Sequence, residues 1–135
     1  MSTRSRFLAR LVGLFLTAMA ICMAPNKASM VATIVATVHD PALLLVYGMI
    51  ALAIGLAMVI VHNRWSGGAA TVIVTIIGWL MLVRSIALLM LPQAAVLALF
   101  QAVHFADLFY AYVIFILAIG LYLNYASWRP GPVEP

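Results

Sequence analysis

The sequence predicts an all-α protein with four transmembrane helices, and three observations carry that prediction. Of 135 residues, 67% are hydrophobic and only 7% are charged, and the mean hydropathy is +1.21. A soluble domain carries about a quarter of its residues as charges, so three acids and seven bases are too few to clothe this chain in water. The apolar residues also gather into four runs, 7–24, 41–61, 69–91 and 103–125, each near the ~20 residues that a helix needs to cross the hydrocarbon. Finally, the chain resembles itself at a separation of 65 residues.

The first run follows Arg4, Arg6 and Arg10 and contains Ala18-Met19-Ala20, the outline of a cleavable secretory signal. It is long for a signal core and has a counterpart in the third run, so an uncleaved helix is expected. Residues 28–39 (ASMVATIVATVH) place Met30, Val31, Ile34, Val35 and Val38 on one helical face and Ser29, Thr33 and Thr37 on another. That pattern predicts a short amphipathic helix at the interface, ended by Asp40 before Pro41. The second run follows, then a loop, then the third. Residues 93–103 (QAAVLALFQAV) occupy the same place before the fourth run. One helix from 93 to 125 would be ~50 Å long, too long for the hydrocarbon, so a bend is expected near His104. RPGPVEP, residues 129–135, is expected to be a disordered tail.

Sliding the chain by 65 residues aligns Gly13 with Gly78, Val38-His39 with Val103-His104 and Tyr47 with Tyr112. The run Leu52-Ala53-Ile54-Gly55-Leu56 meets an identical one at 117–121, and 12 of the 53 positions from 11 to 63 match. The paired His and Tyr weigh most, because both types are scarce in this chain. The expected architecture is two span–interfacial helix–span repeats, 1–68 and 69–128. Two spans separate equivalent points, so the repeats are parallel, with a pseudo-twofold along the membrane normal.

Positive charge sets the orientation. Arg4, Arg6, Arg10, Arg64 and Arg129 share one side and Lys27 alone lies on the other, which puts both termini in the cytoplasm. Trp65 and Trp128, with Arg64, Tyr122 and Tyr125, are expected to anchor that interface. The net charge of +4 is therefore orientation charge, and no Lys/Arg cluster interleaved with aromatics exists to track nucleic acid. One cysteine, Cys22, excludes an internal disulfide and any CxxC site.

HNRWSGGAATVIVTIIGW, residues 62–79, resembles a signature of small four-span bacterial integral membrane proteins of unknown function. Those proteins also carry HN-x-W, then V-T-x-I-G-W opening the third span, with a basic residue where Arg84 stands and P-A-L-L before the second span. The resemblance covers most of 41–92. It implies the four-span fold and a bacterial inner membrane, and it supplies no activity and no functional residue.

Ionisable groups inside a membrane are costly and so are default functional candidates. The candidate cluster is Arg84, Asp107, His39, His104 and Asp40, all near the outer boundary. Arg84 has three readings: it snorkels outward, pairs with Asp107 or binds a transported species. The two histidines either hydrogen-bond at helix breaks, hold a metal or haem, or respond to pH. Tyr47 and Tyr112 are expected as hydrogen-bonded core residues. No Gly-rich phosphate loop, no nucleophile beside a base and only one glutamate, Glu134, are present. Neither catalysis, a metal nor a cofactor is therefore expected. The expected function is a non-enzymatic accessory, scaffold or assembly subunit of a membrane complex, partnered by the lipid bilayer and by another membrane protein or itself. The alternatives are a small oligomeric channel or transporter with a polar outer vestibule, and a haem- or quinone-binding redox subunit.

Overall fold

A computed structural model of the chain describes residues 2–129. The expected tail falls almost wholly outside them. Helix α1 spans Thr3–Met23, and its N-cap Ser2 accepts a hydrogen bond from the Ser5 amide. A 3₁₀ turn at Ala24–Asn26, built around Pro25, leads into α2, Lys27–His39. Helix α3 is Pro41–Val61, α4 is Ala69–Met90, α5 is Gln93–Ala102 and α6 is Phe109–Trp128. Four stretches are long and apolar enough to cross a membrane: Thr3–His39, Pro41–Val61, Ala69–Met90 and Phe109–Trp128. The all-α class with four candidate spans predicted from composition is therefore observed, and the spans imply contact with a lipid bilayer.

Two boundaries differ from expectation. The first helix begins at Thr3 rather than near residue 7, because Ser2 caps it and Arg4 and Arg6 are good helix formers. The last begins at Phe109, six residues later than expected. The bend foreseen near His104 is a full turn: His104 takes a φ of +49°, and its carbonyl accepts from the amides of Asp107 and Leu108. Asp107 thus precedes α6 instead of lying one turn inside it.

The spans pack as two antiparallel pairs, α1 with α6 and α3 with α4, joined chiefly where α1 meets α4. Near the α1 N-terminus, Ala9, Ala70, Val74 and Leu123 form a core that ties α1, α4 and α6 together. Toward the opposite end, Ala20 and Met23 pack on Phe109 and Val113. There α2 and α5 also meet, with Val38 and Val96 closing over Leu44 of α3. Both pairs approach through glycine. A Cβ on Gly55 would sit 2.8 Å from the Leu82 amide nitrogen, and one on Gly120 would sit 2.8 Å from that of Thr17. Backbones touch there, as small residues allow in membrane bundles.

Candidate functional site

At the α2/α5 end three of the ionisable candidates, Asp40, His39 and His104, are engaged by backbone groups near the helix ends. Asp40 is the N-cap of α3, its Oδ1 accepting from the amides of Ala42 at 2.9 Å and Leu43 at 3.1 Å. Pro41 at the first helical position loses nothing, since that amide has no intrahelical partner. His39 Nδ1 donates to the Val35 carbonyl at 2.8 Å and His104 Nδ1 to the Ala102 carbonyl at 2.9 Å. Gln93 Nε2 donates to the His39 carbonyl at 2.9 Å, the polar tie between α2 and α5. Asp40, His104 and Gln93 thereby satisfy amides or carbonyls that a helix terminus leaves open. Among the described residues no three His, Cys, Asp or Glu side chains converge as a metal site would require.

Arg84 and Asp107 are not brought together. The Arg84 guanidinium lies 5.4 Å from the centroid of the Tyr47 ring, because α4 packs mainly on α3 and meets α6 near its other end. Tyr47 is thus a half-exposed platform for a cation. Its counterpart Tyr112 stacks on Phe105 and donates to the Val103 carbonyl at 3.0 Å, bracing the turn before α6.

At the other end, residues 62–79 fold into one hydrogen-bonded clamp. Asn63 Oδ1 accepts from the indole N–H of Trp65 at 3.0 Å and of Trp79 at 3.3 Å. The Thr75 hydroxyl reaches the Arg64 carbonyl at 2.8 Å and accepts from the Arg64 amide at 3.3 Å. His62, only 2% exposed, donates from Nε2 to the Thr71 carbonyl at 3.3 Å. The motif residues His62, Asn63, Trp65, Thr75 and Trp79 therefore act together to close the α3–α4 loop. Gly67 and Gly68, at φ of +105° and +104°, make the reversal that the loop needs.

Sequence reasoning missed a second polar locus, buried between α1 and α6. Asn124 Nδ2 donates to Thr17 Oγ1 at 3.1 Å, and Thr17 in turn donates to the Gly13 carbonyl at 2.8 Å. Arg10, counted only as flanking charge, folds inward: its guanidinium donates to the Ser127 carbonyl at 3.2 Å and lies 4.7 Å from the Trp128 ring centroid. Arg10 Nε and Asn124 Oδ1 are buried with no protein partner. An amide within the fourth apolar run was the available signal. Trp128 and Trp65 themselves are 67% and 61% exposed.

Two clefts open at this same end. One, of about 390 Å³, is lined by Ser2, Thr3, Arg4, Val61, His62 and Arg64. The other, of about 250 Å³, lies among Gly68, Ala69, Ala70, Tyr122, Tyr125, Ala126 and Arg129. The fold and these sites define a small four-span helical membrane protein. Comparison of the chain with protein-family models, curated proteins and solved structures finds no match, so the class stands without a family.

Proposed function

We propose that this chain is a non-enzymatic accessory, scaffold or assembly subunit that works by lateral association within the membrane. One observation carries the reading: each span keeps only 22% to 28% of its most apolar window buried inside the chain. Most of every helix is left for lipid or for a neighbouring protein. At the α2/α5 end, meanwhile, Asp40, His39 and His104 are engaged by backbone groups rather than gathered around a vacant centre.

The architecture proposed is two parallel repeats. Burial recurs at the separation of 65: Ser5 and Ala70, Ala9 and Val74, Gly13 and Gly78, Ala20 and Ser85, Leu44 and Phe109, Gly55 and Gly120 are all buried. Contacts recur as well. A Cβ on Gly13 would meet Asn124 and one on Gly78 would meet Val59, while Gly120 faces Thr17 and Gly55 faces Leu82. The helices α2 and α5 depart from the pattern, since Val38 is buried and Val103 is exposed; in this reading they lie at the interface. Basic residues support both termini lying in the cytoplasm, and the resemblance carried by residues 62–79 supports a bacterial inner membrane.

Extraction in mild detergent, followed by cross-linking and mass determination, tests the association. A stoichiometric complex with another membrane protein, or a defined homo-oligomer, is expected; a monodisperse monomer at the concentrations found in the membrane overturns it. The second reading, a small channel or transporter, draws on the buried, unpartnered Arg10 Nε and Asn124 Oδ1. Flux through liposomes separates it from the first, and an absorption spectrum of the same sample tests the haem-binding alternative.

A further inference from the structure

We propose that the larger cleft, between the start of α1 and the end of α3, binds a phosphate ester oxyanion, with an anionic phospholipid headgroup as its source. Two features converge on it. Arg4 and Arg64 line it and are exposed, and among the described residues neither guanidinium is spent on a hydrogen bond or an aromatic ring. A guanidinium fork matches two phosphate oxygens. The α1 N-terminus also opens into the cleft: Ser2 caps the Ser5 amide, leaving the amides of Thr3 and Arg4 as donors without an intrahelical acceptor. His62 also lines the cleft, but with its Nε2–H given to the Thr71 carbonyl its Nδ1 is an acceptor and adds nothing to anion binding. A volume of about 390 Å³ lies within the range of small-ligand clefts.

The smaller cleft supplies an internal contrast. Thr3, Arg4, Val61 and Arg64 stand 65 positions before Gly68, Ala69, Ala126 and Arg129, so the two clefts occupy equivalent places in the chain. In the smaller one Ala69 replaces Arg4, and the Arg129 guanidinium is already held over the Tyr125 ring, 4.5 Å from its centroid, donating to its hydroxyl. One cleft has free cations and the other has none to offer.

The test uses the full-length protein in zwitterionic detergent micelles, titrated with dioleoylphosphatidylglycerol, dioleoylphosphatidylcholine or sodium phosphate, and followed by thermal unfolding. Phosphatidylglycerol is expected to raise the melting temperature and phosphatidylcholine to leave it unchanged. The double variant Arg4→Gln/Arg64→Gln should need at least about tenfold more phosphatidylglycerol, as the loss of charge-assisted hydrogen bonds to the headgroup predicts. Arg6→Gln/Arg129→Gln removes the same charge outside the cleft and should respond as wild type. A shift with sodium phosphate that Arg4→Gln/Arg64→Gln abolishes supports the same site with free phosphate as its source. Equal responses to the two lipids, or equal losses in the two double variants, overturn the proposal. Should the cleft double variant not melt cooperatively, Arg4→Gln and Arg64→Gln singly carry the test, each losing part of the response. The inference does not depend on which partner the protein has.

Discussion

The α3–α4 and α1–α6 seams solve one geometric problem with different chemistry. Both are antiparallel pairs brought to backbone contact by glycine. Around Gly55 and Gly78 the filling is Leu82, Met58 and Val59; around Gly13 and Gly120 it is Asn124 and Thr17. Inside a bilayer, lipid is as apolar as leucine, so the first seam relies on close van der Waals fit and gains little from burial itself. The second adds hydrogen bonds, each worth about 0.6 kcal/mol on average in membrane helices, and with them two buried polar atoms that no protein group satisfies. Fit is therefore the shared requirement. Buried polar atoms without a protein partner are, among the described residues, the feature peculiar to one seam, and function is the reason to look there.

The largest effect should come from disturbing fit. In Gly55→Ala the new Cβ would stand 2.8 Å from the Leu82 amide nitrogen and 3.0 Å from its Cα, and backbone cannot step aside. A cost of about 3 kcal/mol, at the upper end for overpacking, is expected on denaturation in mixed micelles. Gly48→Ala is the control. There the near atom, at 2.8 Å, is Leu89 Cδ2, which can rotate away, and the cost should stay under about 1 kcal/mol. Equal losses at the two sites would refute the idea that backbone contact governs the seam.

The next effect has the opposite sign. Asn124→Leu removes the orphaned Oδ1 acceptor while keeping the side chain's approximate shape, and Thr17 retains its bond to the Gly13 carbonyl. Deleting a buried unpaired acceptor should stabilise the protein by roughly 1–2 kcal/mol, less whatever crowding a methyl group meets beside Gly13. A destabilised variant would mean that Oδ1 has an occupant, a water or an ion, and would move the seam from architecture to function.

Much of the fold was legible because lipid imposes it. The four spans follow from run length, and Asp40-Pro41 reads directly as a helix start. The start of α6 did not, because VHFADL offers neither proline nor glycine and His104 adopts the left-handed conformation without either. Helix partners were also hidden. Every span is apolar all round, so no stripe announces that α4 meets α3, and depth alone set Arg84 beside Asp107 when its contact is Tyr47. The HN-x-W and V-T-x-I-G-W residues stood out as a pattern, but their shared purpose needs the loop closed before Asn63 can hold both indoles. Asn124 was visible as an amide among apolar residues. Its meaning depends on Thr17, 107 residues away.

The smallest effect compares the two acids of the α2/α5 end, one in each half of the chain. Asp40 accepts two amides at the start of α3, so Asp40→Ala should cost about 1 kcal/mol, the usual value of an N-cap. Asp40→Asn, which keeps an acceptor, should recover most of it. Asp107 sits in the turn before α6, whose N-cap Leu108 has no side-chain hydrogen bond, and Asp107→Ala should change stability by no more than about 0.5 kcal/mol. Hydrogen exchange at Ala42 and Leu43 gives the local reading, since their amides lose protection only if the cap is what holds them. A large loss at Asp107 with none at Asp40 would reverse the assignment, leaving the capping at Asp40 incidental and making Asp107 the acid whose partner remains to be found.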